Sequence, residues 1–184
     1  MVLISAPVQS GDQICLVSSL YGKYMNVDIV NGKVTANSDR QFLWIVEKSM
    51  TGVEFTTGTK PDKRIYYGDT IHLKSTVDQK YVALHQSGNL ETLRNKAPGP
   101  SESFALMNPL EVEDANSPRS PEQTLITHLS QVQIQTIYGT NILAEKDGKA
   151  HSAPITHISD KETMKRSDEF TIVIIPATSK GWFG

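Results

Sequence analysis

The chain has 184 residues, 38% of them hydrophobic and 21% charged, with one cysteine, and its 18 Lys and Arg stand against 20 Asp and Glu for a formal net charge of −2 at pH 7. That length can bury a core without disulfides or metals. The composition excludes a disordered polyampholyte, and the charge excludes a basic nucleic-acid binder.

The first predicted strand is "ICLVS" from Ile14, where apolar and polar residues alternate with the period of a half-buried strand. "KYMNV" follows as a second strand, and Asn31-Gly32 then invites a tight reversal into a third, "KVTA". An apolar strand opening at Phe42, "FLWIV", closes this first unit. Between Ser49 and Asp69 lies an insertion whose "VEFTT" and "RIYY" are able to pair across "GTKPDK" as an extra hairpin. The second unit repeats the order: "IHLKS" from Ile71, "KYVAL", a glycine reversal at Ser87-Gly88, "NLETL", and a closing "FALM" from Phe104. Asn108 to Gln123, rich in Pro, Ser and acids, reads as a surface loop. The third unit runs "VQIQT" from Val132, "NILAE", Asp147-Gly148, "KAHSA" and "FTIVII" from Phe170, with one helical turn expected over Asp160 to Lys165. Glu102 and Asp168 stand two residues before their closing Phe, and Arg40 holds that place in the first unit. Trp182 and Phe183 end the chain, either folded back on a barrel end or exposed as a handle.

A recurrence of this length must be settled first, because one unit exposes an apolar edge and face that only its copies can cover. The expected organisation is a single domain over 1–184, with repeats at 11–48, 68–108 and 129–176 and insertions at 49–67 and 109–124. The inward positions expected to form the core are Ile14, Leu16, Phe42, Trp44, Ile71, Leu73, Phe104, Leu106, Val132, Ile134, Phe170 and Ile172. Three units of four short strands define an all-β class. A propeller would need more blades, and a sandwich would not explain the threefold recurrence. This arithmetic resembles a β-trefoil: three four-stranded repeats with pseudo-threefold symmetry, in which six strands close a barrel and three hairpins cap it.

Catalytic signatures are absent: there is no Cys-x-x-Cys, His-Glu-x-x-His, Gly-x-Ser-x-Gly or phosphate loop, so a non-enzyme without cofactor or metal is expected. Cys15 occupies the first-strand position that His72 and Gln133 hold in the other units, and needs no catalytic explanation. His72, His85, His128, His151 and His157 have no metal-ligand spacing and read as solvated surface groups, and "KPDKR" reads as an exposed turn. What remains is recognition by loops carried on a rigid scaffold. The candidate ligand-binding residues are the polar groups at the hairpins: Asn26, Asp28 and Asn31; His85, Gln86 and Asn89; Glu145 and Asp147. Asp and Asn can pair with vicinal sugar hydroxyls, and they are also ordinary turn formers.

"YGKYMNV", "QKYVAL" and "NKAPGPSESFALM" are similar to the Gly-Lys-Tyr-apolar strand and the Pro-Gly-Pro-x-x-x-Phe segment of fascin-like trefoil proteins. Ricin-like trefoils carry Gln-x-Trp in each unit, against which this chain offers only "QFLW". The superfamily resemblance implies a binding module, first of all a lectin-like one taking a glycan or glycoprotein through its hairpin loops. The alternatives are a fascin-like binder of filamentous actin, for which bundling would require a homodimer or two opposed faces, and a loop-presenting protease inhibitor. A lone cysteine, no Asn-x-Ser/Thr and no signal-peptide pattern point to a cytoplasmic protein, or one released without a conventional signal peptide. No apolar stretch approaches the roughly 18 residues of a membrane span.

Overall fold

Alternating sequences become strands where their apolar side can meet another apolar side. In the computed structural model, which describes residues 6–49, 62–92, 97–109, 124–154 and 167–176, the strands are β1 (Gln13–Ser18), β2 (Tyr24–Val27), β3 (Val34–Ser38), β4 (Trp44–Lys48), β5 (Thr70–Ser75), β6 (Val82–Leu84), β7 (Leu90–Thr92), β8 (Phe104–Met107), β9 (Gln131–Thr136), β10 (Thr140–Ala144), β11 (Ala150–Pro154) and β12 (Phe170–Ile175). Six of them close an antiparallel barrel in the order β1, β4, β5, β8, β9, β12, with β12 pairing back onto β1 from Gln13↔Ile175 to Ser18↔Phe170. Closure leaves the barrel no free edge. The remaining strands form three hairpins, β2–β3, β6–β7 and β10–β11. The class is all-β, and a one-turn 3-10 helix at Pro100–Glu102 is a rare helical element among the described residues.

The barrel interior is filled by the expected inward residues Ile14, Leu16, Trp44, Ile71, Leu73, Phe104, Leu106, Val132, Ile134, Phe170 and Ile172, all of them buried, and Val46, outside that expected set, is buried with them. Phe42 departs from expectation. The closing strand of the first unit starts at Trp44, because Ile14 pairs with Trp44 as Ile71 pairs with Phe104 and Val132 with Phe170. Phe42 precedes that strand, half-buried, with its ring centroid 4.8 Å from that of Trp44. Consequently Phe42, and not Arg40, holds the place occupied by Glu102 and Asp168. A buried indole needs an acceptor, and Trp44 Nε1 donates to the Met25 carbonyl at 3.1 Å.

Two rings of main-chain hydrogen bonds join segments distant in the chain. Val8 N–H donates to Ile126 O (2.8 Å), Ile126 N–H to Ile65 O (3.0 Å) and Ile65 N–H to Val8 O (2.8 Å), and all three side chains are buried. A second ring joins the hairpins: Thr92 N–H donates to Gly32 O (2.9 Å), Ser152 N–H to Gly88 O (2.8 Å) and Ala36 N–H to Gly148 O (2.8 Å). "RIYY" is therefore spent on the first ring, bridging Gln9 through Arg64 and Leu125 through Tyr66, while its expected partner "VEFTT" lies outside the described residues. So do the expected helical turn at 160–165, most of both insertions, His157, Trp182 and Phe183.

Candidate functional site

Most of the predicted hairpin residues are engaged in holding their own turns. Asp28 Oδ1 accepts from Val30 N–H and Asn31 Oδ1 from Lys33 N–H, each at 2.9 Å, and Asp147 Oδ1 accepts from Lys149 N–H at 3.0 Å. These are the side-chain-to-backbone bonds that make Asp and Asn turn residues. Asn26 Oδ1 accepts from Thr35 Oγ1 at 2.9 Å. His85 Nδ1 lies 2.9 Å from Ser87 Oγ and accepts from Ser87 N–H at 3.2 Å. Glu145 Oε1 is 2.6 Å from His151 Nε2. Gln86 and Asn89 are exposed, and their side chains bond no other described residue. The hairpin ring brings some of these groups together: Asn89 bridges His151, so His85, Gln86 and Asn89 of the second hairpin adjoin the Glu145–His151 pair of the third. Asn26, Asp28 and Asn31 stay on the first hairpin, whose tip displays Ile29 and Val30.

The second feature is an open groove of about 410 Å³ on the barrel flank, with Ser10, Glu47, Lys48, Ser49, Lys63 and His72 among its walls. Glu47 and His72 face each other across β4 and β5, so both leave the same face of the sheet. His72, expected at the surface, is buried, with Nδ1 3.0 Å from the Glu102 carbonyl. Tyr81 donates its hydroxyl to Glu47 Oε1 in a short bond. Burial, and then this bond to a carboxylate, push the Tyr81 phenol up to about 12. Lys48 is half-buried with its ammonium against the Asp62 carbonyl (3.1 Å), the Arg64 carbonyl (3.0 Å) and Asp69 Oδ2 (3.3 Å). Sequence reading missed this groove because Glu47 and His72 belong to different units and meet only through strand pairing.

A third feature repeats in altered form on the outside of the barrel. Cys15, His72 and Gln133 are buried although they alternate with inward neighbours. His72 meets Glu102, and Gln133 Nε2 donates to Asp168 Oδ2 at 3.0 Å, as does Asn141 Nδ2. Asp168 is fully buried and its Oδ1 has no hydrogen-bond partner. Burial raises its pKa, against the lowering effect of the Asn141 and Gln133 bonds. Burial likewise raises the Cys15 thiol, against a weaker opposing bond at Phe42. A thiol so placed is a poor nucleophile. Among the described residues no three His, Cys, Asp or Glu side chains are grouped to hold a metal ion, and no helix is long and apolar enough to cross a membrane.

The sequence matches no family model and no curated protein. Solved structures do share the fold. An SDF2-like protein from Arabidopsis thaliana superposes with a TM-score of 0.60 at 15% identity, over 94% of this chain and 99% of that one. A salivary protein from Culex quiquefasciatus, of the Cysteine and Tryptophan-Rich family, gives 0.57 at 10% identity, over 93% and 99%. The lysenin pore gives 0.59 at 10% identity, over 95% of this chain and 50% of that one. At such identities the likeness is one of fold. These neighbours correct the expected membership of the β-trefoil superfamily in its fascin-like or ricin-like form. The architecture is a closed six-stranded antiparallel barrel with extra strands, of the kind seen in those structures. The misleading motifs have a local cause. In the Pro-Gly-Pro segment, Pro100 opens the 3-10 turn and Glu102 Oε2 accepts from Gly99 N–H at 2.9 Å. A motif that builds a turn records geometry rather than kinship.

Proposed function

We propose that the chain is a non-enzymatic, carbohydrate-binding module that takes a glycan or glycoprotein through its hairpin loops, built from three four-stranded repeats about one axis. The observation that carries the reading is the hairpin ring of Gly32, Gly88 and Gly148 carbonyls, which fixes three loops on one rigid face. Preorganised polar groups lose little freedom on binding. On that face Gln86 and Asn89 keep their amides free of bonds to other described residues, beside His85 and the Glu145–His151 pair. Support for the repeat comes from the two rings and from the matching pairs Ile14↔Trp44, Ile71↔Phe104 and Val132↔Phe170. Cytoplasmic residence is supported by one buried, unpaired cysteine. A glycan array with soluble-sugar competition tests the function. Sugar-inhibitable binding, reduced about tenfold or more when Gln86 and Asn89 are both changed to Ala, is expected from the loss of two hydrogen bonds. No inhibitable signal on the array would refute it.

A further inference from the structure

The flank groove collects polar groups that the fold leaves with spare bonding capacity. Lys48 faces three acceptors and is structural. The others are not exhausted. The Glu102 carbonyl can only accept, so His72 Nδ1 carries the proton there and Nε2 is left as an acceptor with no partner among the described residues. Glu47 gives Oε1 to Tyr81, whereas Oε2 has only Lys74 Nζ at 3.7 Å, beyond hydrogen-bond reach. Ser10 Oγ accepts from Lys48 N–H at 2.9 Å and keeps its own proton to donate. Ser49 Oγ and the exposed Lys63 ammonium bond no described residue.

The groove therefore offers two acceptors side by side and donors around them. Cross-strand partners on one face hold their Cβ atoms about 4.5–5.5 Å apart, a spacing from which two side-chain acceptors reach adjacent hydroxyls. An apolar ligand would leave these groups unpaired, and a ligand of one charge would meet opposition from either Glu47 or Lys63. A hydroxyl both donates and accepts, so a neutral polyol satisfies both sets. We propose that this groove is a second ligand site, separate from the hairpin face, that binds the vicinal diol of a saccharide with Glu47 and His72 Nε2 as acceptors and Lys63 and Ser49 as donors. It does not depend on the hairpins binding anything.

The test is a titration of the full chain with a panel of methyl pyranosides, followed by amide NMR and by the ¹⁵N signals of the His72 ring. At least one glycoside is expected to move the amides of Lys48, Ser49 and His72 and the Nε2 resonance of His72. Glu47→Gln should weaken that glycoside about tenfold or more, as expected for loss of a charged acceptor. Lys63→Ala, at an exposed position without a partner among the described residues, should weaken it without affecting folding. The matching deoxy sugar lacking one of the two hydroxyls should not bind. The double change of Gln86 and Asn89 to Ala should leave the groove shifts intact. The proposal is overturned if no pyranoside moves the groove signals at tens of millimolar, if the deoxy sugar binds equally, or if Glu47→Gln and Lys63→Ala are both silent. Shifts confined to the hairpins would overturn it while leaving the hairpin reading standing.

Discussion

Gly148→Ala tests whether the hairpin ring is a tight junction. Gly148 has φ +93°, and a Cβ built there would lie 2.5 Å from Asn37 Cβ. Carbon atoms in good contact sit about 3.5–4.0 Å apart, so the neighbouring hairpins must separate by roughly 1 Å. Asn37 Cβ belongs to the root of a side chain and cannot swing away. Movement would also stretch the Ala36 N–H to Gly148 O bond of 2.8 Å. The positive φ costs an alanine about 1–2 kcal/mol, and forced overpacking adds about 1–3 kcal/mol, for a total of roughly 2–5 kcal/mol. Gly22→Ala is the control: φ is +66° and nothing lies within 4 Å of the new Cβ, so only the backbone cost of about 1–2 kcal/mol applies. Urea unfolding of both variants, with Asn37→Gly alone and combined with Gly148→Ala, separates the two costs. Removing the Asn37 Cβ should recover most of the excess as a coupling above the additivity error of about 0.3–0.5 kcal/mol. Equal destabilisation by Gly148→Ala and Gly22→Ala, with no coupling to Asn37, would refute the packing argument.

Other perturbations address the interior. Because the folded Asp168 pKa is raised, folding favours the neutral acid, so its contribution to stability is greatest below the ordinary aspartate pKa of about 3.9 and is lost as pH rises through the folded value. Asp168→Asn should flatten that decline and be relatively more stable at pH 7; a steeper decline in urea midpoints measured from pH 4 to 8 would instead mean that Gln133 and Asn141 hold the anion. Trp44→Phe removes the donor to the Met25 carbonyl and should cost about 1–3 kcal/mol for the unpaired buried acceptor, plus a packing loss, in thermal or urea unfolding. Leu129 has φ +69° and is 54% exposed, standing where the other units place Gly11 and Gly68. Leu129→Gly should therefore be neutral or stabilising by up to about 1 kcal/mol, and a loss above that in the same assay would show that the leucine packs.

The barrel was legible in the chain because alternation is a local property. "ICLVS", "IHLKS" and "VQIQT" specify which side of each strand is apolar, and the glycine reversals mark where the hairpins turn. Register was not legible in the first unit. Phe42 and Trp44 have the same parity and both suit an inward position, so only the pairing of Ile14 with Trp44 decides where the strand begins. Hairpin polarity was readable, but its use was not: the same Asp or Asn can close a turn or meet a ligand, and Asp28, Asn31 and Asp147 close turns. The Asp168 cluster and the Glu47–His72 groove lie further from sequence reasoning, since Gln133, Asn141 and Asp168 meet through the pairing of β9 with β10 and β12, and Glu47 meets His72 through the pairing of β4 with β5. The strands and their apolar sides were thus readable from the chain, through side-chain periodicity and turn chemistry that act over a few residues. Register, the two hydrogen-bonded rings and the polar groups left with spare bonding capacity came only from the folded arrangement, because each depends on a partner distant in the chain.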